Sequence, residues 1–124
     1  KAKGTDLLRK ADSAFGKMEE LIPESYLGSL WRARTNASLD PETEKGLAKP
    51  YYEETIKRIL AKDDHENNKE LSEAFRYLSY YYYLQFDLHK KNEDKANAIQ
   101  YSEKLLEVDP GNQTATQLLE FLRQ

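Results

Sequence analysis

Carboxylates come in pairs along this chain: Glu19 with Glu20, Glu53 with Glu54, and Glu24 close by. Two carboxylates can divide acid and base work when a cleft gives them unequal surroundings. Neighbouring residues on a helix point about 100° apart, so these pairs are expected mostly in water and on separate faces. The two histidines are His65 in "DDHEN" and His89 in "DLHKK". Carboxylate oxygens beside one imidazole would suit a divalent ion. The order matches no loop ligand set, however, and structural metal sites need several convergent ligands. The run reads as a solvated linker, and no metal or cofactor is expected. No Ser/His/Asp order, glycine-rich phosphate loop or HExxH motif occurs, so no catalytic residues and no enzyme activity are expected. The absence of cysteine excludes a thiol nucleophile, a disulfide scaffold and a cysteine-type zinc site.

The other candidate chemistry is recognition. "RYLSYYYYLQF", residues 76–86, holds four consecutive tyrosines with Tyr77 just upstream. On a helix they sweep nearly the whole circumference, so they cannot all face one core. Tyrosine and arginine are enriched at binding hot spots, because Tyr offers large area at low entropy cost and Arg makes forked hydrogen bonds. Tyrosines also bury the ring and leave the hydroxyl wet, so Tyr80 and Tyr83 can equally be packing residues. Arg32 is expected to be structural, paired with a carboxylate or a carbonyl. Trp31, the only tryptophan, is expected in the core. "NAS" (36–38) and "NQT" (112–114) match the glycosylation pattern, but both sit where helix ends are expected, so capping is the better reading.

These residues need helices to hold them. The chain has 124 residues, scarce Gly and Pro, almost no strand-type alternation and a net charge of −3 with interspersed signs. That suits one soluble all-α domain and argues against a nucleic-acid surface built as a basic stripe. No apolar run reaches the roughly 20 residues of a membrane span. The first residue is Lys, so a fragment or a processed chain is expected, with any targeting segment removed. Thr5 or Asp6 can cap a first helix carrying Leu7, Leu8, Ala11, Phe15, Met18, Leu21 and Ile22, ended by Pro23. Ser25 caps a second, which stops near "LDP" (39–41). A third covers about 42–61, starting in the 43–47 region with a distortion at Pro50. A polar loop (62–69) precedes a long fourth helix, about 69–90. A fifth spans about 94–108, and "DPGN" (109–112) turns the chain into a last one.

Internal similarity runs through these helices. "KANAIQYSEKLLEVDPGN" (95–112) sets Ala98, Tyr101, Leu105 and Leu106 ahead of Pro110, twelve positions after the alanine. Ala11, Phe15, Met18 and Pro23 repeat the pattern, and Ala48, Tyr52 and Thr55 give it again, with Leu60 in the proline's place. "SLWRARTNA" (29–37) and "AFRYLSYYYY" (74–83) match each other through Ala33 and Ser79. These stretches resemble the tetratricopeptide repeat (TPR), of the bacterial multi-repeat type. The resemblance covers a half repeat (5–22, a second helix only), full repeats at 25–61 and 69–110, and a capping helix at 112–124. It implies one all-α domain: a right-handed helical solenoid of about six antiparallel helices, with small residues at close helix crossings.

It also implies a concave groove lined by the first helix of each repeat. By that register Leu27, Leu30 and Arg34, then Arg76, Tyr80, Tyr83 and Asp87, face the groove. Phe75, Leu78, Ser79, Tyr82 and Phe86 pack within the repeat, and Tyr77, Tyr81, Leu84 and Leu88 form a second packing face. The Lys and Asn clamp that some members use for a terminal carboxylate is absent, which implies a more apolar ligand. The expected function is a protein-interaction scaffold, part of a longer chain, with a protein or peptide partner, no nucleic acid and no membrane insertion. A homodimer through Leu7, Leu8, Phe15 and Leu21 of the half repeat is a further expectation. A small-ligand sensor with an aromatic pocket is the alternative. The likeness to exported multi-repeat proteins points to the periplasm.

Overall fold

The three-and-four spacing of apolar residues is realised as helix. The computed structural model describes residues 2–62 and 68–124. Among them lie six α-helices and no strand: α1 Ala2–Leu21, α2 Leu27–Leu39, α3 Lys49–Leu60, α4 Asn68–His89, α5 Asn92–Val108 and α6 Gln113–Leu122. They divide into two compact units, residues 1–65 and 66–124.

In the first unit α2 packs against both α1 and α3. Its buried side is small: Gly28, Ser29, Ala33 and Asn36, with Leu30. A Cβ on Gly28 would lie 2.8 Å from the backbone nitrogen of Glu19, so glycine there lets the two helices meet backbone to backbone. Ala33 is fully buried on α2, and α3 buries Tyr52, Thr55 and Ile59, with Ala48 buried just before its start. Two starts differ from expectation. α1 already runs through Thr5 and Asp6, which therefore cap nothing. α3 begins at Lys49 with Pro50 in its first turn. Proline is well suited there, because its missing N–H would have had no helical partner. Residues 40–48 form a turn instead of the expected extra helix. The buried Asp40 carboxylate accepts the Gly46 N–H at 2.9 Å and is 3.4 Å from those of Lys45 and Leu47. That geometry holds Thr43 and Gly46 at positive φ.

A polar lock joins all three helices. Arg32 donates from Nε and Nη2 to the two oxygens of Asp12 (2.9 and 3.2 Å). Its Nη1 reaches Glu19 (3.1 Å), and Nη2 also donates to the Tyr51 hydroxyl of α3 (3.1 Å). Asp12, Gly16 and Glu19 lie on one face of α1 at intervals of four and three. A Cβ at Gly16 would already touch the guanidinium at 3.4 Å, so the glycine makes room for the arginine to lie along the helix. Asn36 donates to Asp12 (2.8 Å), and Ser29 donates to Glu19 (2.6 Å). Arg58 of α3 donates to the carbonyls of Glu19 (3.3 Å) and Ser25 (3.0 Å). Arg32 is thus structural, as its sequence position suggested. Glu19, expected in water, is a member of the lock with its side chain only 15% exposed.

In the second unit the buried residues of α4 include Leu71, Ala74, Phe75, Leu78 and Ser79. They pack against Ala98, Ser102 and Leu105 of α5, with Ala115, Leu119 and Leu122 of α6 completing the core. Lys90 takes a left-handed φ and returns its N–H to Phe86, ending α4 before a very short turn. Asn112 accepts the Ala115 N–H at 3.0 Å and caps α6, so "NQT" is a capping sequence. "NAS" is structural in another way. Asn36 is buried and bound to Asp12 and to the Arg32 carbonyl rather than ending a helix.

Hydrogen bonding from Arg32 holds the Asp12 carboxyl below its ordinary 3.8, against a smaller opposing effect of partial burial. The same carboxylates raise Arg32 further above its already high value. An unfolded Asp12 takes up its proton at higher pH than the folded one. The stabilisation is therefore complete above about pH 4 and is lost as pH falls through the folded value. Trp31, the single tryptophan, reports unfolding of this unit. Between about pH 4 and about pH 2 its urea midpoint should fall more steeply in the wild type than in Asp12→Asn. Arg32→Met should cost roughly 2–3 kcal/mol at neutral pH, somewhat below the value for a fully buried pair, and Arg32→Lys should restore less than half of that.

Candidate functional site

The side of α2 away from Ala33 carries Leu27, Trp31 and Arg34 at intervals of four and three, one line along the helix. Leu30, expected beside them, is 3% exposed and belongs to the core. Trp31 corrects the expectation in the opposite direction. Its indole is 42% exposed. Phe15 of α1 stacks against it with ring centroids 5.9 Å apart and planes 24° from parallel. The Arg34 guanidinium carbon lies 4.7 Å from the indole centroid. Leu27, one turn earlier, is also exposed. An aromatic ring is thus held at the surface by an aromatic and a cationic neighbour.

On α4 the corresponding line is Arg76, Tyr80, Tyr83 and Asp87. Arg76 and Asp87 are exposed, and Asp87 lies 3.7 Å from Lys90 Nζ. Tyr80 is 42% exposed. Tyr83 is half-buried, because Phe121 of α6 meets it edge to face at 5.5 Å. The tyrosine run therefore divides its duties. Tyr82 stacks nearly parallel on Tyr101 of α5 at 5.8 Å, beside Phe75. Tyr81 meets the edge of Tyr82, Tyr83 packs on α6, and Tyr80 leans on Tyr83 while facing outward. The α2 and α4 lines lie in separate units, and each is a face in its own right.

A cleft of about 610 Å³ lies between α1, the end of α2 and the 40–48 turn, lined by Leu8, Arg9, Asp12, Leu39, Lys45 and Leu47 among others. A smaller one, about 280 Å³, is polar and lies beside Lys69, Glu73, Arg76 and Asp109. No tyrosine lines either, and the tyrosine rings pair with one another and with α5 and α6. Among the described residues no group of three or more His, Cys, Asp or Glu side chains could hold a metal ion. The "DDHE" run lies outside the described residues.

No family model and no curated protein matches the chain. Among solved structures it is similar to the C-terminal part of a TPR repeat-containing protein from Cytophaga hutchinsonii. The identity is 43% and the TM-score 0.77, over 90% of this chain and 40% of that one. This is a tetratricopeptide-repeat fold. The small residues that the TPR pattern singled out behave as that fold requires: Ala33, Ala48, Ser79 and Ala98 are all 0% exposed. The TPR resemblance also explains why α2 and α4 each bury one side and present the other. The chain is a helical-repeat scaffold, and no described helix is long and apolar enough to cross a membrane.

Phe15 is the support that fixes Trp31, and sequence reasoning assigned it only to packing. Phe15→Ala should cost about 1–2 kcal/mol, a half-buried aromatic's share. It should also shift Trp31 emission to the red and raise its quenching by acrylamide. Unchanged emission would show that the stack does not hold the indole.

Proposed function

We propose that this TPR scaffold binds a peptide or a protein surface on the outward faces of α2 and α4. The observation that carries the reading is the half-exposed pair Trp31 and Tyr80. Both are large aromatic rings on helices whose opposite sides are fully buried. Aromatic rings fixed at a surface lose little side-chain entropy on binding, which is why they dominate interface energies. Leu27 and Arg34 extend the α2 face, while Arg76, Asp87 and the inner ring Tyr83 extend that of α4. Of the residues expected in a groove, Leu30 drops out of the binding set because it is buried.

The reading extends to a longer protein. The chain spans 40% of the solved chain it resembles, which is itself the C-terminal part of the Cytophaga protein. α1 leaves Leu7 and Leu21 exposed, the latter at 81%, a flank suited to further repeats or to a second copy.

The test is selection of binders from a displayed library of genomic fragments, followed by calorimetry on purified pairs. Trp31→Ala or Tyr80→Ala should weaken a selected partner about tenfold or more, the size of a hot-spot loss. Both variants should keep wild-type far-UV circular dichroism. Partners that bind both variants with wild-type affinity would overturn the reading.

A further inference from the structure

α1 and α5 hold the same place in the repeat. Ala11 matches Ala98, Pro23 matches Pro110, and the two helices end at the matching Leu21 and Val108. One face of α1, with Asp12, Gly16 and Glu19, is taken up by α2. On another, Leu7, Ala11, Ala14, Met18 and Leu21 follow at intervals of four and three, a continuous apolar stripe. Leu7 is 66% and Leu21 81% exposed, Ala14 is exposed, and Ala11 and Met18 are only half-buried. The matching line of α5 runs through Ala98, Tyr101, Leu105 and Val108. There Ala98 and Leu105 show no surface, and Tyr101 stacks on Tyr82 and meets Phe75. The helix that covers this line is α4, which reaches α5 through Lys90 and Lys91 alone. Among the described residues of its unit, α1 packs only against α2.

Resting on the reading of a longer protein, we infer that the stripe is the seat of one further helix of the same polypeptide. It lies antiparallel to α1 and enters it through a turn as tight as that at Lys90 and Lys91. The edges of the stripe set its chemistry. Towards α2 the edge is apolar, with Leu8 and Phe15. On the far edge stand Lys10 and Lys17, seven residues apart and both exposed. The incoming helix therefore sets small or apolar side chains over Ala11 and Ala14, where close approach is open, and carboxylates beside the two lysines. A second copy of α1 fits the stripe poorly, because pairing α1 with itself brings the two lysine rows together. Five residues also make a seat narrower than the roughly 800 Å² per partner of a stable complex. A tethered helix, at an effective concentration on the order of millimolar, suits such a seat better than a free partner. The solved Cytophaga chain runs well beyond the part that this chain spans.

The chain has no cysteine, so one introduced thiol reports the stripe. Ala14→Cys is made in the 124-residue chain and in the same chain lengthened by the roughly 40 residues encoded ahead of Lys1, about one repeat. The rate of its reaction with a neutral disulfide reagent is measured in both. Ser13→Cys, exposed and off the stripe, is the control. In the lengthened chain the thiol at position 14 should react at least tenfold more slowly, the control should not change, and far-UV circular dichroism should show added helix. Lys10→Glu with Lys17→Glu should return about two- to tenfold of that protection, the size of two exposed charge pairs lost. Added helix with an unprotected thiol would overturn the seat and leave the longer repeat protein standing, whereas no added helix would sink both. Protection already present in the 124-residue chain, and rising with its concentration, would put a second copy on the stripe instead. Protection indifferent to the two glutamates would refute the acidic edge.

Discussion

Two helices can come close only where the side chains between them are small. That constraint organises both units. Ala33 on α2, Ala48 just before α3, Ser79 on α4 and Ala98 on α5 are the small residues of the packed sides, and none of the four shows any surface to solvent. Gly28 carries it further, bringing α2 against the backbone of α1. Once the small side of a helix is committed to its neighbour, large residues fall on the remaining sides. On α2 those include Trp31 and Leu27, and on α4 they include Tyr80. The aromatic display is thus the other face of the packing.

The first unit adds a polar device that the second does not mirror. α1 meets α2 through Asp12, Gly16 and Glu19, where an ordinary amphipathic helix would place apolar residues. The α5 positions that correspond to Asp12 and Glu19, read from the repeat, are Ile99 and Leu106. Arg32 satisfies both carboxylates, and Asn36, Ser29 and Tyr51 complete the hydrogen bonding. Partly buried charges are tolerable only when geometry and hydrogen bonds are this complete. Such a lock fixes the rotation of α1 about its axis. It thereby sets Phe15 beneath Trp31, linking the internal charge network to the outward face.

Much of the fold was legible because helical periodicity is local. The six helices and the turn at 109–112 follow from spacing and turn chemistry, and the small-residue positions from the TPR resemblance. What was not legible depends on partners distant in sequence. The Asp12 and Glu19 pairings span 20 and 13 residues to Arg32. A trace existed in the Asp-Gly-Glu line along one helix face, with glycine where an arginine must lie. The start of α3 was misplaced because Leu47 and Ala48 continue an apolar stripe. The Asp40 carboxylate, by gathering the amides of the following turn, delays the helix to Lys49. Trp31 was read as core because large apolar rings usually are. Its exposure is decided by what lies across from α2, which periodicity along α2 cannot see.

The separation of a small, closed side from a large, open side is the property from which the binding function is derived. Close approach at Ala33 can be measured alone. The direct test is the thermal unfolding of Ala33→Leu against the wild type. Close approach predicts a loss of about 1–3 kcal/mol, the cost of forcing methylenes into a filled crossing, seen as a clearly lowered midpoint. A leucine at position 33 that leaves the midpoint unchanged would mean that α2 has room on its inner side, and the division of its faces would be contradicted.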